Sequence, residues 1–217
     1  MEIKMGGILK STWEMLHDGR FLKKALMIAC PVALQGMLNT IVNMVDTLMI
    51  GGLGSTAIAA VGLANKVFFV FSLLVFGIVS GGGILAAQFW GSGDVKNIRK
   101  VLGLCVMLAM VGAMFFVVPA LTAPRMVMRI FTTSEGSIEL GAKYLRIAAL
   151  SYPFIALTNV YVAMLRATNK VVFPVICSCI AIVVNICLNY VLIFGKFGAP
   201  TMGVAGAACA TLTARCI

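Results

Sequence analysis

The sequence predicts an all-α fold, a polytopic bundle of transmembrane helices. Three observations carry this. Of 217 residues, 61% are hydrophobic and only 11% are charged, where soluble domains carry about 25% charged residues. Mean hydropathy is +1.06. Long apolar runs alternate with short Gly- and Pro-containing loops, and several runs are long enough for the roughly 20 helical residues that cross a bilayer.

Residues 1–22 read as a polar, cytoplasmic N-terminal segment, and 23–217 as the membrane-embedded bundle. Residues 8–24, "ILKSTWEMLHDGRFLKK", read either as an interfacial amphipathic helix or as an unstructured lead-in. No secretory cleavage pattern follows the first apolar run. The first span is expected over 25–50 and stops at "GGLG", a turn signal. The second, 57–90, exceeds the core thickness and must tilt or project; "GSGD" closes it. The third covers 98–121, with Pro119 and Pro124 at its end. The fourth covers 141–165, with Pro153 as a kink. The fifth covers 171–194, with Pro174 in its first turn, where proline is tolerated. A sixth begins at 204 and is incomplete by 217, as expected of a chain cut within a helix.

Charge sets the orientation. With the N-terminus inside, Lys4, Lys10, Arg20, Lys23, Lys24, Lys96, Arg99, Lys100, Arg166 and Lys170 are cytoplasmic. Arg125, Arg129, Lys143, Arg146 and Lys196 are external. This excess inside obeys the positive-inside rule. It also accounts for the net charge of +10 without nucleic acid. Lys66 and Arg215 fall within apolar runs and are left out of that comparison. The seven cysteines lie in apolar stretches far from the single histidine, His17. They read as small hydrophobes, not as metal ligands.

Enzyme chemistry is not expected. The sequence holds no phosphate-binding loop, no H-E-x-x-H and no Ser/His/Asp set, so it offers no catalytic residues. "SGGGILAAQFWGSG" is glycine-rich but lacks the Lys and Ser/Thr of a phosphate loop. No cofactor is implied.

The informative residue is Asp46, the one acid of seven that lies inside an apolar span. An aspartate at a helix centre costs about 2.5–3.5 kcal/mol to insert. It shares a helix face with Gln35, Asn39 and Asn43: at 100° per residue the four fall within roughly 80°. Such a stripe must face other helices or a water-filled cavity. The fifth span offers Asn185 and Asn189 on one face, with Ser178 seven residues earlier. Asn189 lies five residues before Phe194 and Asp46 four before Ile50, so the two are at similar depth. Amides of this kind hold helices together or, beside a buried acid, line a polar site. Desolvation disfavours a charged carboxylate. Such a group carries a proton, or pairs with a small cation held by amide and hydroxyl oxygens, hard ligands that suit sodium. The structural alternative is an aspartate that hydrogen-bonds a neighbouring helix. Lys66 reads as snorkelling, Gln88 as structural, and Thr158, Asn159 and Tyr161 either as cavity lining or as helix contacts.

"ACPVALQGMLNTIVNMVDTLMIGGLGSTAIAAVGLAN" resembles the first helix pair of the MATE (multidrug and toxic compound extrusion) family. "AAQFWGSGDVKNIRK", "LRATNKVVFP" and "NICLNYVLIFGKFGAPTMGVAGAACAT" resemble its later connections and helices. The resemblance implies one six-helix lobe, the N-terminal half, of a twelve-helix transporter whose C-terminal lobe is missing. It implies a secondary active antiporter in the cytoplasmic membrane of a prokaryote, exporting cationic or amphipathic drugs and toxic metabolites in exchange for Na+ or H+. It places a cation or proton site at Asp46, Asn185, Asn189 and Thr211, with any Na+ held by Asp46, Asn185 and Asn189. It places a helix bend at Pro31. Some relatives carry aspartate where this chain has Asn189, and its absence here leaves one carboxylate. Two rivals stand beside this reading. One is a lipid-linked oligosaccharide flippase of the same broad superfamily, which tends to have a more basic cavity. The other is a non-functional fragment.

Overall fold

A computed structural model describes residues 19–196 and 201–216. Most of the expected N-terminal segment lies outside them. Among the described residues eight helices follow one another: α1 (Gly19–Gly51), α2 (Ser55–Gly91), α3 (Val95–Thr122), α4 (Pro124–Arg129), α5 (Glu135–Ala149), α6 (Tyr152–Ala167), α7 (Val172–Phe194) and α8 (Val204–Cys216). Among the described residues no strand occurs. Lipid leaves backbone groups no water to bond, and the helix satisfies them within one segment.

The turns are set by few residues. Gly54, at φ 108°, starts α2 in a conformation that side chains rarely adopt. Asp94 caps α3: its carboxylate accepts from the Asn97 backbone N–H at 3.1 Å and from Asn97 Nδ2 at 2.6 Å. This satisfies a donor that the helix start would otherwise leave free. Gly195, at φ 64°, ends α7 in the left-handed conformation.

The fourth span differs from the single kinked helix that the sequence suggests. It is two helices, α5 and α6, bent by 48°. The reason is local. Pro153 has no N–H to donate to the carbonyl four residues back, so the chain breaks just before it, at Leu150 and Ser151. The Ser151 hydroxyl turns back to the Ala148 carbonyl at 2.6 Å. A further short helix, α4, follows the third span and opens on Pro124, where proline is tolerated.

The core sits among α2, α3, α5 and α6. Phe71 stacks on Tyr152 with ring centroids 4.7 Å apart and planes at 8°. Phe68 and Phe116 close around them at 5.9 and 5.8 Å. Met128, Leu145 and Val160 are fully buried nearby. The outside is equally apolar: Leu48, Phe76, Val111 and Phe115 are exposed. Among the described residues, α2, α3 and α7 are long and apolar enough to cross a membrane, and the bent pair α5–α6, taken as one span, has the length and composition for a fourth. In water this surface would aggregate; in lipid it is solvated.

Two helices complete the bundle around α7. α8 packs closely on α7, and α1 packs chiefly on α7. Gly206 makes the α7–α8 approach feasible, because a Cβ there would meet the Leu192 backbone. Small residues at helix contacts allow such proximity in lipid.

Candidate functional site

Polar side chains join α1 to α7 at two levels. At one level Gln35 Nε2 donates to Ser178 Oγ at 2.6 Å. At the other Asn189 Nδ2 donates to Asp46 Oδ1 at 2.5 Å. From 35 to 46 on α1, and from 178 to 189 on α7, is eleven residues each, three turns of 3.67 residues. The helices therefore run parallel and keep register for about 16 Å. That register puts a carboxylate opposite an amide between the two helices.

The Asp46 end is a compact polar cluster. Asn189 is 0% exposed and Asn185 is 5% exposed. The Asn189 amide nitrogen also donates to Asn185 Oδ1 at 3.2 Å, across one turn of α7. One NH2 group thus serves two acceptors. The Asn189 carbonyl oxygen, buried on the same amide, has no hydrogen-bond partner among the described residues. Buried acceptors normally find partners, and this one is left without. Rotation of the amide by 180° would direct it at the Asp46 and Asn185 oxygens, a cluster of three hard donors.

The Gln35 end is built differently. Arg166, at the end of α6, donates to Gln35 Oε1 at 2.6 Å, and Ser178 Oγ in turn donates to the Pro174 carbonyl at 2.9 Å. Three helices are joined here without a carboxylate.

The other residues that the sequence singles out divide. Thr211 hydrogen-bonds the Ala207 carbonyl of its own helix at 2.9 Å and is not hydrogen-bonded to the Asp46 cluster among the described residues. Asn43 is exposed on the lobe surface, so only part of the α1 stripe meets α7. The Asn39 side chain lies outside the described residues. Pro31 lies within α1, which continues as one helix on either side. Lys66, Gln88, Thr158, Asn159 and Tyr161 are exposed.

Sequence reasoning passed over Arg215. Its guanidinium lies 4.9 Å from the Phe68 ring centroid, and with Tyr144, Tyr152 and Thr211 it lines a small cavity. One signal was available: Arg215 is four residues after Thr211, hence on the same face of α8.

Comparison with known proteins is consistent with this arrangement. The model of the MatE family matches residues 31–191. A "Probable multidrug resistance protein NorM" of Thermotoga maritima is 33% identical over 195 residues, 89% of this chain and 42% of that protein. A "Probable multidrug resistance protein YoeA" of Bacillus subtilis is 32% identical over 191 residues, 84% of this chain and 40% of that protein. The chain thus spans about two fifths of the length of these curated relatives. Solved structures described as MATE in the straight and in the bent conformation match with TM-scores of 0.80 and 0.78. Each is 24% identical and covers 89% of this chain. At that identity the likeness shows the fold, one lobe of such a transporter.

Proposed function

The chain belongs to the MatE family, and from that premise we propose that it is the N-terminal lobe of a secondary active antiporter. It is a multi-pass membrane protein of a family of transporters. The proposed antiporter lies in the cytoplasmic membrane with the N-terminus inside, pairs this lobe with a second, and exports cationic or amphipathic compounds in exchange for H+ or Na+. The observation that carries the reading is the Asp46–Asn189–Asn185 cluster, an acid facing a buried amide whose oxygen has no partner.

The mechanism follows from what that amide can do. With Asp46 ionised and no ion bound, the Asn189 NH2 group points at the carboxylate. A proton on Asp46 supplies a hydroxyl donor, and the amide then does better to turn its oxygen inward. A sodium ion asks for the same turn, since it needs oxygens from all three side chains. Either ion thus exchanges one hydrogen-bond pattern between α1 and α7 for another, and gives the unpartnered oxygen its partner. Such an exchange favours release of the exported compound only if the ion binds the two states with different affinity.

The test is ethidium efflux from cells making the full-length transporter with Asp46→Asn. The substitution keeps size and hydrogen bonding but removes the titratable, cation-holding group. Efflux is expected to fall to the level of cells without the transporter. Unchanged efflux at equal protein level would remove Asp46 from the mechanism.

A further inference from the structure

The bundle holds a second polar site, which the mechanism above leaves unused. Arg215, in the last turn of α8, is half-buried, its guanidinium 4.9 Å from the Phe68 ring centroid. With Asn65 of α2, Tyr144 of α5, Ser151 and Tyr152 at the α5–α6 break, and Thr211 of α8 it lines a partly open cavity of about 30 Å³. In the proposed lobe α8 belongs to the sixth span. From Val204 to Arg215 is eleven residues, about 16 Å of helix and roughly half the hydrocarbon thickness. A guanidinium at that depth needs a counter-charge. The Phe68 ring face supplies only part of one. The cavity supplies none: no acid lines it, and Asp46, Asn185 and Asn189 do not border it. The ion pairs among the described residues are Arg129–Glu135 and Lys143–Glu139, both on exposed side chains.

The residues around the cavity offer donors instead. The guanidinium presents a fork of N–H groups and has no acceptor of its own. Tyr144 is 8% exposed and Tyr152 2%, and neither phenol has a hydrogen-bond partner among the described residues. Buried phenols normally find one. Asn65 adds an amide on the exposed side. A cation, buried hydroxyls and no acid together describe a place for an anion.

We propose that this cavity binds the carboxylate of an anionic amphiphile, which the transporter exports beside cationic compounds. The proposal rests on the antiporter reading and adds a class of substrate to it. A carboxylate accepts paired N–H bonds from a guanidinium, whose planar fork matches its oxygens. Its remaining lone pairs suit the phenols of Tyr144 and Tyr152. One ligand group thus gives the guanidinium its counter-charge and the hydroxyls their acceptor. The space is about a water's share of liquid volume, so it takes a small head group and leaves the apolar body of the compound outside. A cationic head is repelled there by Arg215.

The experiment uses the purified full-length transporter. Naphthoate and naphthamide share an apolar body and differ in charge, and their binding is followed by equilibrium dialysis. The wild type is expected to bind naphthoate at least about tenfold more tightly than the amide. Arg215→Gln should remove that preference by weakening naphthoate alone. Tyr144→Phe deletes one donor and keeps the ring, and should weaken naphthoate severalfold; it carries the test if Arg215→Gln does not fold. Equal binding of the two probes, or a preference that both variants leave unaltered, overturns the proposal. So does displacement of naphthoate by chloride or phosphate as readily as by naphthoate itself, which would assign the cavity to inorganic anions. In liposomes under an imposed ion gradient the wild type should move carboxyfluorescein, an anion that does not cross lipid unaided, and Arg215→Gln should not. Binding without movement would make the anion a bound ligand and not cargo, and would also overturn the proposal. Ethidium has no carboxylate, so Arg215→Gln should move it as the wild type does; loss of ethidium transport in this variant alone would give Arg215 a general role and overturn the proposal too. A wild type that fails to move ethidium defeats the antiporter reading itself.

Discussion

The Asp46–Asn189 contact gives the sharpest energetic expectation. The donor–acceptor distance is 2.5 Å and Asn189 is fully buried. If Asp46 is ionised in the resting lobe, this is a charge-assisted bond, contributing about 1.5–3 kcal/mol. Neutral side-chain bonds between membrane helices contribute about 0.6 kcal/mol on average, with a maximum near 1.7. The Gln35–Ser178 bond is the internal control: it joins the same two helices at 2.6 Å without a carboxylate. A double-mutant cycle of Asp46→Ala with Asn189→Ala should give a coupling of about 2 kcal/mol. The cycle of Gln35→Ala with Ser178→Ala should give about 0.6 kcal/mol. The assay is reversible unfolding of the full-length transporter in bicelles by denaturing detergent. A coupling at Asp46–Asn189 no larger than the control would refute the argument. The contact would then be ordinary helix-to-helix bonding, and the case for a charged resting site would fail.

Three further outcomes can be read in the same unfolding assay. Gly206→Leu should destabilise the protein by about 1–3 kcal/mol, because the new side chain meets the Leu192 backbone, which cannot rotate away; an unchanged midpoint would contradict the close α7–α8 packing. Asp94→Ala removes the α3 cap and its bonds to Asn97, at a cost of about 1 kcal/mol, and no loss would mean that water caps the helix equally well. Glu135→Gln breaks the Arg129–Glu135 pair, whose side chains are 63% and 77% exposed, and the change should stay within about 0.5 kcal/mol; a larger loss would show that the pair holds the α4–α5 turn.

How far the sequence carries can be judged residue by residue. The all-α membrane fold is legible in hydropathy alone, because lipid tolerates little else. The facing of Asp46 and Asn189 is legible in depth, since both stand four or five residues from the end of a run. A shared separation of 143 residues in two contacts is what fixes the parallel register, and it becomes visible only once α1 and α7 are known to touch. The break before Pro153 is signalled by a residue that cannot donate a hydrogen bond. Its consequence, two helices at 48°, is an angle that no periodicity encodes. Asn43 shows the limit of the helical wheel. It shares the polar sector yet lies exposed, because a sector of 80° is wider than one helix contact. Arg215 was hidden for another reason: a lone basic residue in a short apolar run has no meaning until the ring of a distant helix on which it rests, Phe68, is known.

The central claim is ion-coupled transport through Asp46. It is tested most directly with the purified full-length transporter in liposomes, by following ethidium against its own concentration gradient while an ion gradient is imposed and then collapsed with an ionophore. The wild type should accumulate ethidium only while the gradient lasts, and Asp46→Asn should allow no more than equilibration. Uphill movement in Asp46→Asn, or wild-type movement indifferent to the ionophore, would contradict the account.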